Sequence, residues 1–312
     1  MSSTSSSDDR HVVVGAGPVG RHVAAELAAR GSHVTVVTRS GRDTGLAGVT
    51  HLALDASDAD ALTRAADGAA VLYNCANPGD YTQWEKVWPL LAAALLTTAE
   101  RTGAVYAITG NLYPYGPVDG PMTEDLPDAA TDHKGVLRAR LWADALAAHR
   151  AGRARVVEVR SSDFVGPGVG ANGHVSRVVP AALRGRAVTM IGRTDLSHSF
   201  TDVQDAARTL VAAAADPGAL GRTWHTPSNP PCTQREALTD VLASVGQPPV
   251  RVRSLRGPGL AVAGLFSPLL RELRDLAYQW EHPYVLDDTA ARDRFSIEPT
   301  PWGEVCRRTA RG

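Results

Sequence analysis

Residues 11–39, HVVVGAGPVGRHVAAELAARGSHVTVVTR, predict the fold of this chain. Residues 12–14 are an apolar β-branched run, typical of a parallel strand that is buried on both faces. An alanine-rich helix and a second strand at His33–Thr38 follow. Between the first strand and the helix lies a G-x-G-x-x-G pattern at Gly15, Gly17 and Gly20. This order of strand, glycine turn, helix and strand predicts the first βαβ unit of a Rossmann fold.

Each glycine of this turn has a role that fits a dinucleotide. Gly15 permits a tight turn, Gly17 lets the backbone approach a pyrophosphate, and Gly20 allows the helix to pack closely on the strand. The helix begins at Pro18 and Val19, and its N-terminus would face the phosphates. The turn therefore predicts a dinucleotide site.

The end of the second strand indicates which dinucleotide binds. Arg39 stands where a carboxylate would hold the ribose 2′-hydroxyl of NAD. With Ser40 and Arg42 beside it, Arg39 suits a 2′-phosphate instead, which predicts NADP. The alternative is that Arg39 is a solvated surface arginine.

Composition narrows the class of protein. The 312 residues are 44% hydrophobic, and the 32 basic and 33 acidic residues nearly balance, which argues against nucleic acid or an anionic membrane as partner. The start, MSSTSSSDDR, predicts a disordered tail over residues 1–10. No apolar run approaches the ~20 residues needed to cross a bilayer. Three widely spaced cysteines predict no metal site. We expect a cytoplasmic protein that acts on a small molecule.

Strand-like and helix-like segments alternate through the first two hundred residues. This alternation predicts an α/β fold, a doubly wound parallel sheet with helices on both faces. We expect a Rossmann domain over residues 11–165 and a smaller C-terminal substrate-binding cap over 166–312, with segments around 196–230 returning to the core. Ligands bind at the carboxyl ends of such strands, so Asp55, Ala76 and Asn77 are predicted to line the cofactor site.

The chain resembles the extended short-chain dehydrogenase/reductase superfamily, which includes nucleotide-sugar epimerases and dehydratases. The resemblance implies a Rossmann core, a nicotinamide cofactor and a small C-terminal substrate domain. The motifs that carry it are GAGPVG at 15–20, LDASD at 54–58, NCANP at 74–78, YGP at 115–117, RSSDFVGPG at 160–168, SFTDVQDAA at 199–207, TPSNPPCTQRE at 226–236 and PTPWGE at 299–304.

The catalytic motif of that superfamily is altered in this chain. Its members carry a Tyr-x-x-x-Lys pair and an upstream serine or threonine; here Lys134, Arg138 and Asn111 occupy the tyrosine, lysine and serine positions. Arg138 could hold the nicotinamide ribose but is a poor proton donor. Lys134 would become a usable general acid if desolvated and crowded by Arg138. A solvated lysine at the helix start is the alternative.

Four further residues are candidates near the substrate. Tyr113, in TGNLYPYGP, lies in a loop that faces the nicotinamide and substrate in the superfamily, and its phenol could replace the missing tyrosine as general acid. The motifs also place Asp163 and His198 near the substrate. Trp224 could line an apolar wall, although buried aromatic residues more often belong to the core. Residues 271–275, of mixed charge, are predicted to form a solvated helical face.

Three functions are consistent with this pattern. The first is an NADPH-dependent reductase of a small organic carbonyl or unsaturated compound, with Tyr113 or Lys134 as proton donor and Asn111 and Arg138 orienting the reactants. The second is an epimerase, isomerase or cyclase that retains NADP without net redox change. The third is a non-catalytic NADP-binding sensor. The sequence leaves the oligomeric state open, between a monomer and a homodimer through the helix predicted at 83–101, which often forms dimers in that superfamily.

Overall fold

The computed structural model describes residues 10–312, apart from the side chains of residues 263, 264 and 268–270. The predicted disordered tail lies outside this range except for Arg10, which begins the first strand. No helix in the described part of the chain is both long enough and apolar enough to span a bilayer.

A seven-stranded parallel sheet forms the centre of the molecule. Its strands are β1 (Arg10–Val14), β2 (His33–Thr38), β3 (Val49–Ala53), β4 (Val71–Asn74), β5 (Val105–Asn111), β6 (Arg155–Ser161) and β11 (Thr223–His225). Their order is β11-β6-β5-β4-β1-β2-β3, and every neighbouring pair is parallel. The strands β2 and β3 follow β1 on one side, whereas β4, β5 and β6 lie on its other side, so the strand order changes direction between β1 and β4. Ligands of doubly wound sheets bind at this switch point.

Helices cover both faces of the sheet. They are α1 (Pro18–Ala29), α2 (Ala59–Ala65), α3 (Trp84–Thr102), α4 (His133–Arg150) and α6 (Val203–Ala215). Val13 packs in one core with α1 and α6, whereas Val12 and Val14 pack in the other with α2, α3 and α4. Successive strand residues point to opposite faces, which explains the split. Each fully buried valine contributes about 1.5–3 kcal/mol. The predicted doubly wound α/β fold is confirmed.

The chain beyond β6 forms a smaller second layer. Its strand pairs are β7 (Asp163–Val165) with β10 (Phe200–Asp202), β8 (Val188–Ile191) with β13 (Val252–Leu255), and β9 (Ser197–His198) with β12 (Cys232–Thr233). Its helices are α5 (Val179–Ala182), α7 (Gln234–Ala243), α8 (Gly257–Phe266), α9 (Pro268–Asp275), α10 (Tyr278–Glu281), α11 (Thr289–Phe295) and α12 (Trp302–Arg311).

This second layer has an apolar core of its own, in which Met190, Phe200 and Leu238 are buried. Two segments within 166–312 belong instead to the main sheet: β11 extends it beside β6, and α6 packs on its face. The predicted boundaries between a Rossmann domain and a cap stay a prediction.

Candidate functional site

The glycine turn has the geometry expected for a phosphate site. Gly15 has a φ of +101°, and a Cβ there would lie 2.7 Å from the backbone nitrogen of Ala76. A Cβ on Gly20 would lie 2.1 Å from the carbonyl oxygen of Gly15. A Cβ on Gly17 would meet no described atom within 4 Å. The packing of the protein itself therefore requires Gly15 and Gly20, whereas Gly17 borders open space.

The N-terminus of α1 adds a second feature to this open space. Gly17 is the N-cap residue, no side chain caps the helix, and Pro18 and Val19 form its first turn. The first backbone N–H groups of a helix have no partner within the helix, and they attract anions. The open side of Gly17 and the uncapped helix together fit the pyrophosphate of a dinucleotide.

The groups predicted to contact the adenosine half lie at the same edge of the sheet. Arg39, Ser40 and Arg42 are exposed just beyond β2. Asp55 follows β3, and its carboxylate accepts hydrogen bonds from the backbone and hydroxyl of Ser57 at 3.0 and 2.7 Å. These bonds, with the nearby charge of Arg39, lower the pKa of Asp55. Parallel strands bring these residues together because their carboxyl ends share one edge.

Two more predicted cofactor residues follow β4. Ala76 is half-buried against Gly15, and Asn77 is exposed. The structure thus gathers the predicted cofactor residues of the glycine turn, β2, β3 and β4 at one edge, although their contacts with a cofactor stay a prediction.

Lys134 lies in the first turn of α4 with its side chain fully buried. The side chain of Asp132 caps this helix and accepts a hydrogen bond from the backbone N–H of Lys134 at 3.1 Å. The Lys134 ammonium pairs with the carboxylate of Glu272 from α9 and lies 3.1 Å from the His133 imidazole. Burial alone would raise the pKa of Glu272, but its contacts with Lys134 and His133 lower it overall. The Lys134 ammonium is therefore engaged by Glu272 and His133 in this structure.

Glu272 belongs to the segment 271–275, for which we predicted a solvated face. That prediction is wrong for Glu272, whose side chain is only 21% exposed and closes over Lys134. His133 also contacts Asp275, at 3.3 Å. Helix α9 is therefore held to the start of α4 by opposite charges.

Arg138 is buried one turn further along α4. Its Nη2 donates a hydrogen bond to the carbonyl oxygen of Thr109 at 2.9 Å, and its guanidinium lies 4.5 Å from the centre of a Trp88 ring. Burial lowers its pKa, against the opposing effect of the Glu158 carboxylate. Arg138 ties α4 to the end of β5.

Tyr113 follows β5 in a 3₁₀ turn, Tyr113–Tyr115. Its backbone N–H donates to Asn111 Oδ1 at 3.2 Å, which sets the orientation of the asparagine. Its hydroxyl lies 3.2 Å from the hydroxyl of Tyr81. Burial raises the pKa of Tyr113 well above its ordinary value of 10, and the neighbouring Tyr81 and Asp163 add to the effect. The phenol of Tyr113 is therefore protonated near neutral pH.

Asp163 and His198 form a pair beside these phenols. His198 Nε2 lies 2.9 Å from Asp163 Oδ2, and the indole of Trp280 donates to the same oxygen at 3.2 Å. The His198 ring stacks on Tyr284 with centroids 5.2 Å apart. Burial would raise the pKa of Asp163, but His198 and His174 hold it well below its usual range. Because the charge of Asp163 also acts on Tyr113, the structure brings these two candidates together.

Trp224 lies elsewhere. It is buried in the core that contains α1 and α6, its indole donates to the carbonyl oxygen of Ala219 at 3.0 Å, and it packs against Phe295 with centroids 5.0 Å apart. This packing places Trp224 in the core, which is the more common location of buried aromatic residues, and not in a wall of the substrate space.

Sequence reasoning missed two residues of this region, Tyr81 and Glu272. Tyr81 lies in a 3₁₀ turn before α3, 32 residues from its partner Tyr113, and no motif marks it. Glu272 is 138 residues from Lys134. Only two of the 32 basic residues of the chain, Lys86 and Lys134, are lysines, and this rarity is the one sequence signal that marks Lys134.

Comparison with known proteins identifies the family. The profile of the NAD dependent epimerase/dehydratase family matches residues 11–224, more than half of the chain. The chain belongs to this family. No curated protein sequence matches it.

Several solved structures share the fold of this chain along nearly its whole length. MoeE5 in complex with UDP-glucose and NAD is 20% identical, with a TM-score of 0.77 and 97% of both chains covered. A double mutant of the dTDP-glucose 4,6-dehydratase DesIV from Streptomyces venezuelae is 20% identical, with a TM-score of 0.76 and coverage of 97% of this chain and 96% of that one. The UDP-glucose 4-epimerase of Thermus thermophilus is 19% identical, with a TM-score of 0.76 and coverage of 97% and 98%.

Membership confirms the resemblance to the extended short-chain dehydrogenase/reductase superfamily and the expectation of a nicotinamide-dependent enzyme. At these identities the solved structures support the fold alone.

Proposed function

We propose that this member of the epimerase/dehydratase family is an NADPH-dependent reductase of a small organic carbonyl compound, with Tyr113 as its proton donor. The observation that carries the proposal is the pair of hydroxyls of Tyr81 and Tyr113, 3.2 Å apart at the carboxyl end of β5. The position of the usual catalytic tyrosine holds Lys134, whose ammonium is engaged by Glu272.

The residues at the sheet edge fit NADP. The open side of Gly17 and the uncapped start of α1 would take the pyrophosphate. Arg39 and Arg42 are exposed where the ribose lies in folds of this kind, and guanidinium groups bind phosphate through charge-assisted hydrogen bonds. These two arginines support NADP over NAD.

When bound, the cofactor supplies a hydride to the carbonyl carbon of the substrate. Tyr113 donates its phenolic proton to the carbonyl oxygen, which leaves an alcohol as product. The alkoxide that forms at this oxygen is a stronger base than a phenolate, and burial keeps the phenol of Tyr113 protonated until then. The hydroxyl of Tyr81 lies within hydrogen-bond distance to return a proton to Tyr113.

The remaining candidate residues hold the reacting groups in position or carry charge close to them. Asn111 orients the turn that carries Tyr113, and Arg138 fixes α4 against the strand beside it. The Lys134 ammonium, which pairs with Glu272, lies 5.7 Å from the centre of the Tyr81 ring and packs against it. Asp163, whose charge acts on Tyr113, and its partner His198 would contact the substrate.

The test is turnover of a panel of aliphatic and aromatic aldehydes and ketones, followed by the loss of reduced nicotinamide. Tyr113→Phe should lower kcat about 10²- to 10⁴-fold, the usual contribution of a general acid, and should leave NADPH affinity unchanged. Tyr115→Phe is the matched control from the same turn. Its hydroxyl is 2.8 Å from the buried His225 ring and outside the proposed chemistry, so its kcat should stay within a few-fold of wild type.

Two results would contradict the proposal. Full turnover by Tyr113→Phe would remove Tyr113 as the proton donor. Product formation from a bound cofactor with no net loss of reduced nicotinamide would replace the reductase with an epimerase or isomerase, the reaction type for which the family is named.

A further inference from the structure

Arg177 is a half-buried cation close to the proposed reaction site. It has no carboxylate partner among the described residues, whereas five other arginines that are buried or half-buried each have one: Arg160, Arg193, Arg208, Arg292 and Arg308. Arg138 donates to a backbone carbonyl and contacts the Trp88 ring. In the described part of the chain, the guanidinium of Arg177 makes one hydrogen bond, from Nη2 to His174 Nδ1 at 3.5 Å. Its other N–H groups are available to a ligand.

A buried histidine holds this guanidinium in place. Gln234 donates its amide N–H groups to the carbonyl oxygens of Ile191 and Arg193, at 3.3 and 2.8 Å. Its Oε1 therefore accepts the proton of His174 Nε2, at 2.6 Å, and His174 Nδ1 is left as the acceptor for Arg177. Burial lowers the pKa of His174 to about 3, so the ring is neutral near pH 7 and keeps this acceptor. The guanidinium is thus oriented before a ligand binds.

The turn that carries Arg177 packs beside the predicted substrate residue Asp163. The backbone N–H of Arg177 donates to the carbonyl oxygen of Gly173 at 3.1 Å. A Cβ on Gly173 would lie 2.9 Å from the carbonyl oxygen of Phe164, the residue that follows Asp163 in β7. Burial raises the pKa of Tyr81, and the charge of Arg177 opposes this effect. Arg177 is therefore near both Asp163 and the phenol that contacts the proposed proton donor.

A ligand can reach these side chains from solvent. Tyr81, Tyr113, Asp163 and Arg177 each keep part of their surface exposed. No nitrogen of Arg177 is both fully buried and unpartnered, in contrast to Nε of Arg138. The N–H groups of Arg177 that lack a protein partner are therefore accessible to a ligand.

The charges around Arg177 favour a carboxylate as its ligand. The guanidinium is a planar fork of N–H donors that fits a carboxylate through two parallel hydrogen bonds. The carboxylate of Asp163 is engaged by His198 at 2.9 Å and by the Trp280 indole at 3.2 Å. Burial lowers the pKa of Arg177, and the nearby charge of Asp163 opposes this effect. Because that negative charge is close, a singly charged carboxylate meets less repulsion than a doubly charged phosphate.

We propose that Arg177 binds a carboxylate of the substrate, so that the preferred substrate is an oxo acid whose carboxylate lies a few atoms from the reacting carbonyl group. The inference rests on the proposed function for the position of the carbonyl group beside Tyr113. Binding of the carboxylate to Arg177 requires no turnover.

Calorimetric titration of the full chain with straight-chain carboxylates of about four to eight carbons, which lack a carbonyl group to reduce, tests the carboxylate site alone. Arg177→Gln should weaken the binding about 10- to 150-fold, the usual contribution of a hydrogen bond to a charged group. The corresponding uncharged amides should bind equally weakly to both proteins. Arg184→Gln is the matched control, because Arg184 is exposed further along the same segment, and its affinity should stay within about twofold of wild type.

Steady-state kinetics then test the role of Arg177 in substrate choice. With oxo acids of the same lengths and their methyl esters as substrates, Arg177→Gln should raise KM for the acids about 10- to 150-fold. It should leave KM for the esters, and kcat for both, within a few-fold of wild type. Arg177→Lys keeps the charge but not the planar fork, so its KM for the acids should fall between the two.

The outcomes separate this proposal from the proposed reductase. Equal carboxylate binding by wild type and Arg177→Gln would overturn the site. Binding of inorganic phosphate or UDP more tightly than any carboxylate, lost in Arg177→Gln, would reassign Arg177 to a phosphate group. Turnover of uncharged carbonyl compounds without preference for oxo acids would refute the substrate class and leave the reductase in place. Arg177-dependent carboxylate binding without turnover of any carbonyl compound would refute the reductase and support the carboxylate site.

Discussion

A methyl group added at Gly17 or at Gly20 should separate the cofactor role of the turn from its structural role. At Gly20 the new Cβ would lie 2.1 Å from the carbonyl oxygen of Gly15, a backbone atom that cannot rotate away. Overpacking of this kind costs up to about 3 kcal/mol, and alanine in place of glycine inside a helix returns about 1 kcal/mol. We expect Gly20→Ala to lose about 2 kcal/mol of stability, or about 5 °C in melting temperature.

Gly17→Ala should behave differently because its Cβ would meet nothing within 4 Å and the φ of −69° suits alanine. The loss of about 1 kcal/mol at the N-cap is offset by about 0.4–1 kcal/mol from the less flexible unfolded chain. The melting temperature should therefore stay within about 2 °C of wild type. If the pyrophosphate passes over Gly17, the methyl should cost about 1–3 kcal/mol of NADPH binding, which is roughly 5- to 150-fold in Kd.

Differential scanning calorimetry and NADPH titration at constant salt measure both quantities. A stable Gly17→Ala variant that binds NADPH as tightly as wild type would refute the assignment of the open space to the cofactor. A Gly20→Ala variant with an unchanged melting temperature would refute the packing argument.

Three further predictions address charge. Arg39→Asp should weaken NADPH binding by about 1.5–3 kcal/mol, the contribution of a charged hydrogen bond, and leave NADH binding almost unchanged; equal losses would remove the 2′-phosphate assignment. Glu272→Gln should cost about 3 kcal/mol in urea unfolding because it leaves the buried ammonium of Lys134 without its partner, and an unchanged midpoint would contradict this. Burial lowers the pKa of His174 to about 3 and that of His225 to about 4, against an ordinary value of 6.5. The unfolded chain therefore takes up protons first, and stability should fall below pH 6.5 by about 1.4 kcal/mol per ring per pH unit; His174→Gln should lower that slope by about 1.4 kcal/mol per pH unit between pH 6 and 4.5.

Much of the fold followed from local pattern. The strands predicted at 12–14 and 33–38 and the helix predicted at 83–101 all occur, with ends shifted by at most two residues. Strand and helix patterns depend on neighbouring residues, so a single sequence carries them. The short strands and helices after residue 160 have weaker periodicity, because each buries only a few side chains against distant partners.

The catalytic region was only partly predictable. Tyr113 and Asp163 were each predicted to lie near the substrate, and the charge of Asp163 acts on Tyr113 in the structure, although their contact with a substrate stays a prediction. Sequence reasoning missed Tyr81, and it missed Glu272, whose carboxylate pairs with the Lys134 ammonium. Trp224 is a core residue because the side of β11 on which it lies packs against the helices α1 and α6.

The sequence by itself determined the glycine turn, the doubly wound sheet and the residues at its ligand edge. These features rest on steric and hydrophobic requirements that act over a few neighbouring residues. Only the tertiary structure decided which group pairs with Lys134 and which hydroxyl lies beside Tyr113. Those outcomes depend on side chains that are distant in sequence and meet only when the helices pack. The hydrogen bonds and the pKa of a buried polar group depend on the partner that this packing brings to it.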